Sequence, residues 1–215
     1  MLGRSSLRRL KSETAALHAR AEQYVRILDA DATAADYHRY LVAMHGYHAP
    51  LERGLAAHEG LAAAGFEAPL RQKRALLEQD LAQLSAGRGQ CAHDCPRLPA
   101  LGSLARATGV AYVLEGSTLG GRYVLAKLPP ALAALRGRAT AFLEGYGDAT
   151  GARWRAFGDV VARAIGSPAD EDEAAEGACE AFARLIDWLA LHERPLPRPD
   201  VVTARAELAA RRGAP

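Results

Sequence analysis

Cysteine, β-branched residues, a charge excess of either sign and long apolar runs are all scarce in this chain, and each scarcity excludes a class of protein. Three Cys in 215 residues, with no leader-like segment at the start, argue against a disulfide scaffold and against export. No apolar stretch approaches the ~20 residues that a membrane span needs. With 27 basic against 25 acidic residues the net charge is only +2, and the basic residues are scattered. Nucleic acid is therefore not the expected partner, because duplex affinity comes largely from clustered Lys and Arg that release counterions. The chain has 9 Val, 3 Ile and 7 Thr against 47 Ala and 29 Leu, a balance that favours helix and starves strands. What remains is an ordinary globular composition, 49% hydrophobic and 24% charged, long enough to bury its own core. The expectation is an all-α protein of the cytoplasm, with one compact multi-helix domain over residues 1–194 and a Pro-containing, partly disordered tail over 195–215.

Hydrophobic periodicity divides the domain into six to eight helices. Leu7, Leu10, Thr14, Leu17, Ala21, Val25 and Leu28 recur every three or four residues and predict a helix from Ser5 to about Leu28. A second helix runs from Thr33 to about Gly60, and Pro50 should kink or split it. A third opens at Pro69 and ends before the loop AGRGQCAHDCPRLP. A fourth covers about Leu98 to Leu128 and stops at Pro129-Pro130. Segments 131–146, 150–165 and 170–193 follow, the last with an acidic first turn suited to the helix dipole.

Two constellations stand out. On the first helix His18 has Thr14 and Glu22 four residues to either side and Lys11 seven residues before it, so all four share one face. That suits a half-buried His paired with Glu22, and it equally suits an imidazole whose one nitrogen ligates a metal while Glu22 orients the other. The second is GVAYVLEGSTLGGRYVLAKL, residues 109–128. Each helical Gly costs roughly 1 kcal/mol relative to Ala, so Gly116, Gly120 and Gly121 together cost about 3 kcal/mol. Gly116 and Gly120 lie on one face and strip it of Cβ atoms, so either a second helix or a flat ligand could approach the backbone, and Gly120-Gly121 offers a place to bend.

The two motifs together, ETAALHARAE at 13–22 and YVLEGSTLGGR at 112–122, resemble the heme oxygenase family, most of all its bacterial branch associated with bacteriophytochromes. The order of helices and the segments RWRAFGDVV and EAFARLIDWL extend the resemblance over most of the chain. It implies a heme oxygenase-like fold with a kinked, Gly-rich distal helix, and an enzyme that cleaves heme b with O2 to biliverdin, CO and Fe(II), heme being both substrate and prosthetic group. By the same resemblance His18 is the axial iron ligand, flanked by Thr14 and Glu22, and Gly116, Gly120 and Gly121 leave the distal face open. Lys11 matches a basic position that meets the heme propionates, with Arg153 and Arg155 as looser candidates. A ferredoxin or another reductase would supply electrons, and a bacteriophytochrome is an expected recipient of biliverdin.

The chain departs from the mammalian-type distal motif at Ser117, which stands where that motif has Asp. Ser117, a backbone carbonyl or a water linked to Glu115 would then serve proton delivery. Cys91, His93 and Cys95 lie within five residues but lack a second ligand pair for zinc and read as a surface loop. Cys95-Pro96 resembles the short Cys-Pro heme-regulatory dipeptide. His38, His45, His48 and His58 lack the Glu-x-x-His pairing of a di-iron bundle and read as packing or surface residues. Two other functions compete: a non-catalytic heme carrier or sensor that keeps His18, and an unrelated helical cofactor-processing enzyme of similar architecture.

Overall fold

The computed structural model describes residues 2–84 and 93–192; Cys91 and the tail at 195–215 lie outside the described residues. Among the described residues the fold is all-helical, with eight α-helices and no strand. Helix α1 (Leu2–Glu22) buries Ser6, Leu10, Thr14 and Ala21 along one stripe. It ends at Glu22 and not at Leu28, because residues 26–28 form a separate 3-10 turn that buries Ile27 and is held by Arg26 donating to the Asp29 carboxylate at 2.9 Å.

Helix α2 (Ala34–Ala56) opens with a reciprocal capping box between Thr33 and Asp36, as short-range rules require. It passes through Pro50 without splitting. Proline removes the N–H that would bond the carbonyl four residues back, and here that carbonyl, of Gly46, instead accepts the Cys95 backbone N–H at 2.8 Å. The approach demands glycine at 46: a Cβ there would overlap the His93 carbonyl and come within 2.7 Å of the Trp188 ring. The helix stops at Ala56 because His58 accepts the Leu61 N–H at 3.2 Å and caps a separate short helix, α3 (Glu59–Ala63).

Helix α4 (Arg74–Leu84) starts five residues after Pro69, which sits in the 3-10 turn Ala68–Leu70. Its cap comes from a distance: the Glu52 carboxylate on α2 accepts the N–H groups of Lys73 and Arg74 at 2.8 and 3.1 Å. Helix α5 (Leu104–Lys127) opens at Ser103, whose hydroxyl accepts the Arg106 N–H. The short α6 (Ala141–Glu144) is capped by buried Asp80 of α4, which accepts from Ala141 and Phe142 at 2.9 Å each. Helices α7 (Thr150–Ala164) and α8 (Pro168–His192) complete the domain.

Helix α8 organises the packing. It lies along α1, crosses α5 and touches α2, where Trp188 Nε1 donates to the Ala43 carbonyl at 2.7 Å and the Tyr47 hydroxyl to the Ala181 carbonyl at 2.6 Å. At the crossing with α5 the backbones meet through Gly109, whose missing Cβ makes room for the Ala174 carbonyl and Ala178. Gly109→Ala is therefore expected to destabilise despite its better helix propensity. Overpacking of this kind costs ~1–3 kcal/mol, a fall of roughly 2–4 °C in Tm per kcal/mol for a domain of this size, read in a thermal melt. No helix among the described residues is long and apolar enough to cross a membrane.

Candidate functional site

On α1 the inward residues are spent on packing, and Thr14 uses its hydroxyl to donate to the Leu10 carbonyl at 2.7 Å. His18, one turn later, is turned out of the core: its side chain is 57% exposed. Its ring meets Phe182 of α8 edge-on at 5.6 Å between centroids, which fixes the plane of the imidazole. Nδ1 lies 3.4 Å from Glu22 Oε1, within ion-pair distance; with Nδ1 on that side, Nε2 is the nitrogen available to a metal. Lys11 is exposed on the same helix.

Helix α5 presents the complementary feature. A Cβ added at Gly116 or Gly120 would meet nothing within 4 Å, so these two glycines are not packing glycines. Leu119 and Tyr123, at the same three-to-four-residue spacing, are the large apolar side chains exposed beside them, Tyr123 at 62%. Four residues before Gly116, the Tyr112 ring packs against Trp154 of α7 with 6.0 Å between centroids. Ser117 is half-buried and its hydroxyl donates to the Leu114 carbonyl at 2.6 Å. Gly121 faces elsewhere: it is buried, and a Cβ there would lie 3.0 Å from the Leu143 carbonyl of α6.

Behind the open glycines lies a cluster that sequence reasoning missed. Glu115 is not linked to solvent; its side chain is 2% exposed, and Arg71 and Lys73, at 4% and 1%, contact its two oxygens at 2.5 and 2.9 Å. The Tyr146 hydroxyl donates to the same carboxylate at 2.8 Å and accepts from Lys73 Nζ at 2.9 Å. Burial, with the charge of Glu115, pushes that hydroxyl well above its ordinary pKa and keeps it a donor. Next to the cluster, burial would raise the Glu52 carboxyl, but His48 and the N–H groups it caps hold it below its usual value. Burial lowers the pKa of His48 itself and keeps it neutral. Two signals for this cluster were available: an acid inside the apolar run GVAYVLEG, and the rarity of lysine.

The remaining candidates separate. Arg153 is engaged by its neighbours, donating to the Leu70 carbonyl at 2.8 Å and stacking over Tyr146 at 4.9 Å. Arg155 is exposed, its guanidinium lying near Gly151 on its own helix. Cys95 is buried and its thiol is directed at the Arg97 carbonyl, which makes Cys95-Pro96 a packing corner. No group of three potential metal ligands occurs among the described residues, and His45, near Glu78, and His48 belong to the interior face of α2.

The family model described as heme oxygenase matches residues 5–190. Among solved structures, the crystal structures of the NO- and CO-bound heme oxygenase from Neisseria meningitidis are similar in fold, with a TM-score of 0.74 and 24% identity over 90% of this chain and 97% of that one. No curated protein sequence matches the chain.

Proposed function

The chain belongs to the heme oxygenase family, a family of heme-degrading oxidoreductases, and from that premise we propose that His18 holds the heme iron and that α5 covers the opposite face through Gly116 and Gly120. The observation that carries this reading is the pairing of an exposed, carboxylate-oriented imidazole with a helix face that has lost its Cβ atoms and packs against nothing. A flat macrocycle fits such a strip, and a His with a carboxylate beside Nδ1 fits an axial ligand. When bound, heme supplies both the iron that activates O2 and the carbon skeleton that is cut, giving biliverdin, CO and Fe(II).

The chain's own residues have separable tasks. Glu22, beside Nδ1, orients the His18 imidazole. Lys11 and Arg155 offer cations to the propionates. Leu119 and Tyr123 cover apolar edge and exclude water. The Ser117 O–H is committed to the Leu114 carbonyl, so towards the open face its oxygen acts as an acceptor and holds a water that passes the proton on. Ser117→Ala should slow turnover by no more than ~10²-fold, the lower range for positioned proton transfer, and Ser117→Asp should be tolerated; single-turnover biliverdin formation measures both. Electrons come from a ferredoxin or another reductase, and a bacteriophytochrome is the proposed recipient of the bilin. The reading is tested by adding hemin and then ascorbate: a Soret band that decays into bilin absorption supports it, whereas a stable band or none overturns it.

A further inference from the structure

Three side chains from two chain segments, residues 71–73 and Tyr146, converge on one carboxylate at the back of α5. Arg71 reaches Glu115 Oε2 from the 3-10 turn before α4, its guanidinium lying 5.2 Å from the Phe66 ring and 5.8 Å from the Phe157 ring. Lys73 reaches Oε1, and its ammonium also donates to the Arg71 carbonyl at 3.3 Å and to Tyr146. Tyr146 follows α6 and donates its one proton to Glu115, its oxygen lying 3.2 Å from the Arg71 carbonyl. The glycine-rich half of the helix is then locked at two further points on the same side: Thr118 presses against Gly145, and Gly121 against the Leu143 backbone. At 100° per residue, positions 115, 118 and 121 lie opposite 116, 120 and 123.

A buried ion cluster is a poor device for stability alone, since desolvation offsets most of the Coulomb gain and apolar residues of similar volume often do as well. Its advantage is directional: charged, multidentate hydrogen bonds tolerate little displacement. A helix that presents two glycines to a ligand has no side chains there with which to fix its own height. It must be held from behind.

Resting on the heme oxygenase reading above, we propose that Glu115 is a positioning residue for the reaction, which through Arg71, Lys73 and Tyr146 sets the distance and tilt of the Gly116–Gly120 backbone over the heme plane and so selects the carbon that is cut. It touches neither heme nor the reacting atoms. Its removal should therefore spare hemin affinity, which His18 and the apolar edges supply, and degrade rate and regiochemistry.

The test compares wild type with Glu115→Gln, which keeps the shape and removes the charge. In the variant a cooperative melt and unchanged hemin affinity are expected, with kcat reduced by about 10- to 100-fold, as misplacement on the order of an ångström produces. More than one biliverdin isomer should appear on chromatography, and the C–O stretching band of the ferrous CO complex should broaden. If Glu115→Gln does not fold, Tyr146→Phe removes one neutral donor from the same carboxylate and should give the same isomer mixing and band broadening to a smaller degree. Wild-type rate, a single isomer and an unchanged C–O band in whichever variant folds would overturn the proposal alone. A wild type that develops no Soret band with hemin would overturn the heme reading, and this proposal with it.

Discussion

Replacing His18 with Ala is expected to leave a folded protein that has lost its hold on heme. The helix does not depend on this side chain: Leu10, Thr14 and Ala21 carry its buried stripe, Ala is the better helix former, and an exposed i,i+4 pair such as that with Glu22 contributes only a few tenths of a kcal/mol. The edge contact with Phe182 is the one packing interaction at risk. The melting temperature should therefore move by no more than a few degrees. Heme binding should change far more, because loss of a hydrogen-bonding partner of a ligand already costs ~10- to 100-fold in affinity or activity and here the ligand itself is gone. Titration with hemin should show at least that loss, with a displaced Soret band, and added imidazole should restore part of the original spectrum. His48 and His45 are not placed to take over, since His48 is sealed in the core and His45 lies beside Glu78. An unchanged Soret band and unchanged turnover in His18→Ala would refute the axial assignment.

Gly120→Leu should show the opposite separation, with stability intact and catalysis blocked. A Cβ at 120 meets nothing within 4 Å, and replacing an exposed helical Gly gains roughly 0.5–1 kcal/mol in propensity, which for this size of domain raises Tm by about 1–4 °C. The new side chain projects into the face left bare by the glycines, where it competes with the macrocycle for space. Turnover should fall by ~10²-fold or more, since displacement on the order of an ångström is enough for that. Gly121→Leu provides the contrast. There the added atoms collide with the Leu143 backbone, and the melt should collapse with or without heme. A Gly120→Leu protein that degrades heme at the wild-type rate would mean that the open face of α5 is not where heme lies.

The different fates of neighbouring glycines mark the boundary between what was legible in the sequence and what was not. Helix content, the stripe of α1 and the Thr33 cap of α2 follow from interactions within four residues, so they can be read from residue types and spacing. The outward face shared by His18, Glu22 and Lys11 is of the same kind, as is the presence of an unpaid-for glycine run in α5. The start of α4 was misplaced because its cap is Glu52 on another helix, and α2 runs unsplit through Pro50, where the Cys95 N–H supplies the donor that the Gly46 carbonyl would lack. Nor could local rules say that Gly116 and Gly120 face open space while Gly121 faces α6. The Arg71, Lys73 and Tyr146 partners of Glu115 lie 44, 42 and 31 residues away from it. A helix knows its own periodicity from its own residues, but which side stays open and how a buried charge is neutralised are decided only when distant segments pack against it.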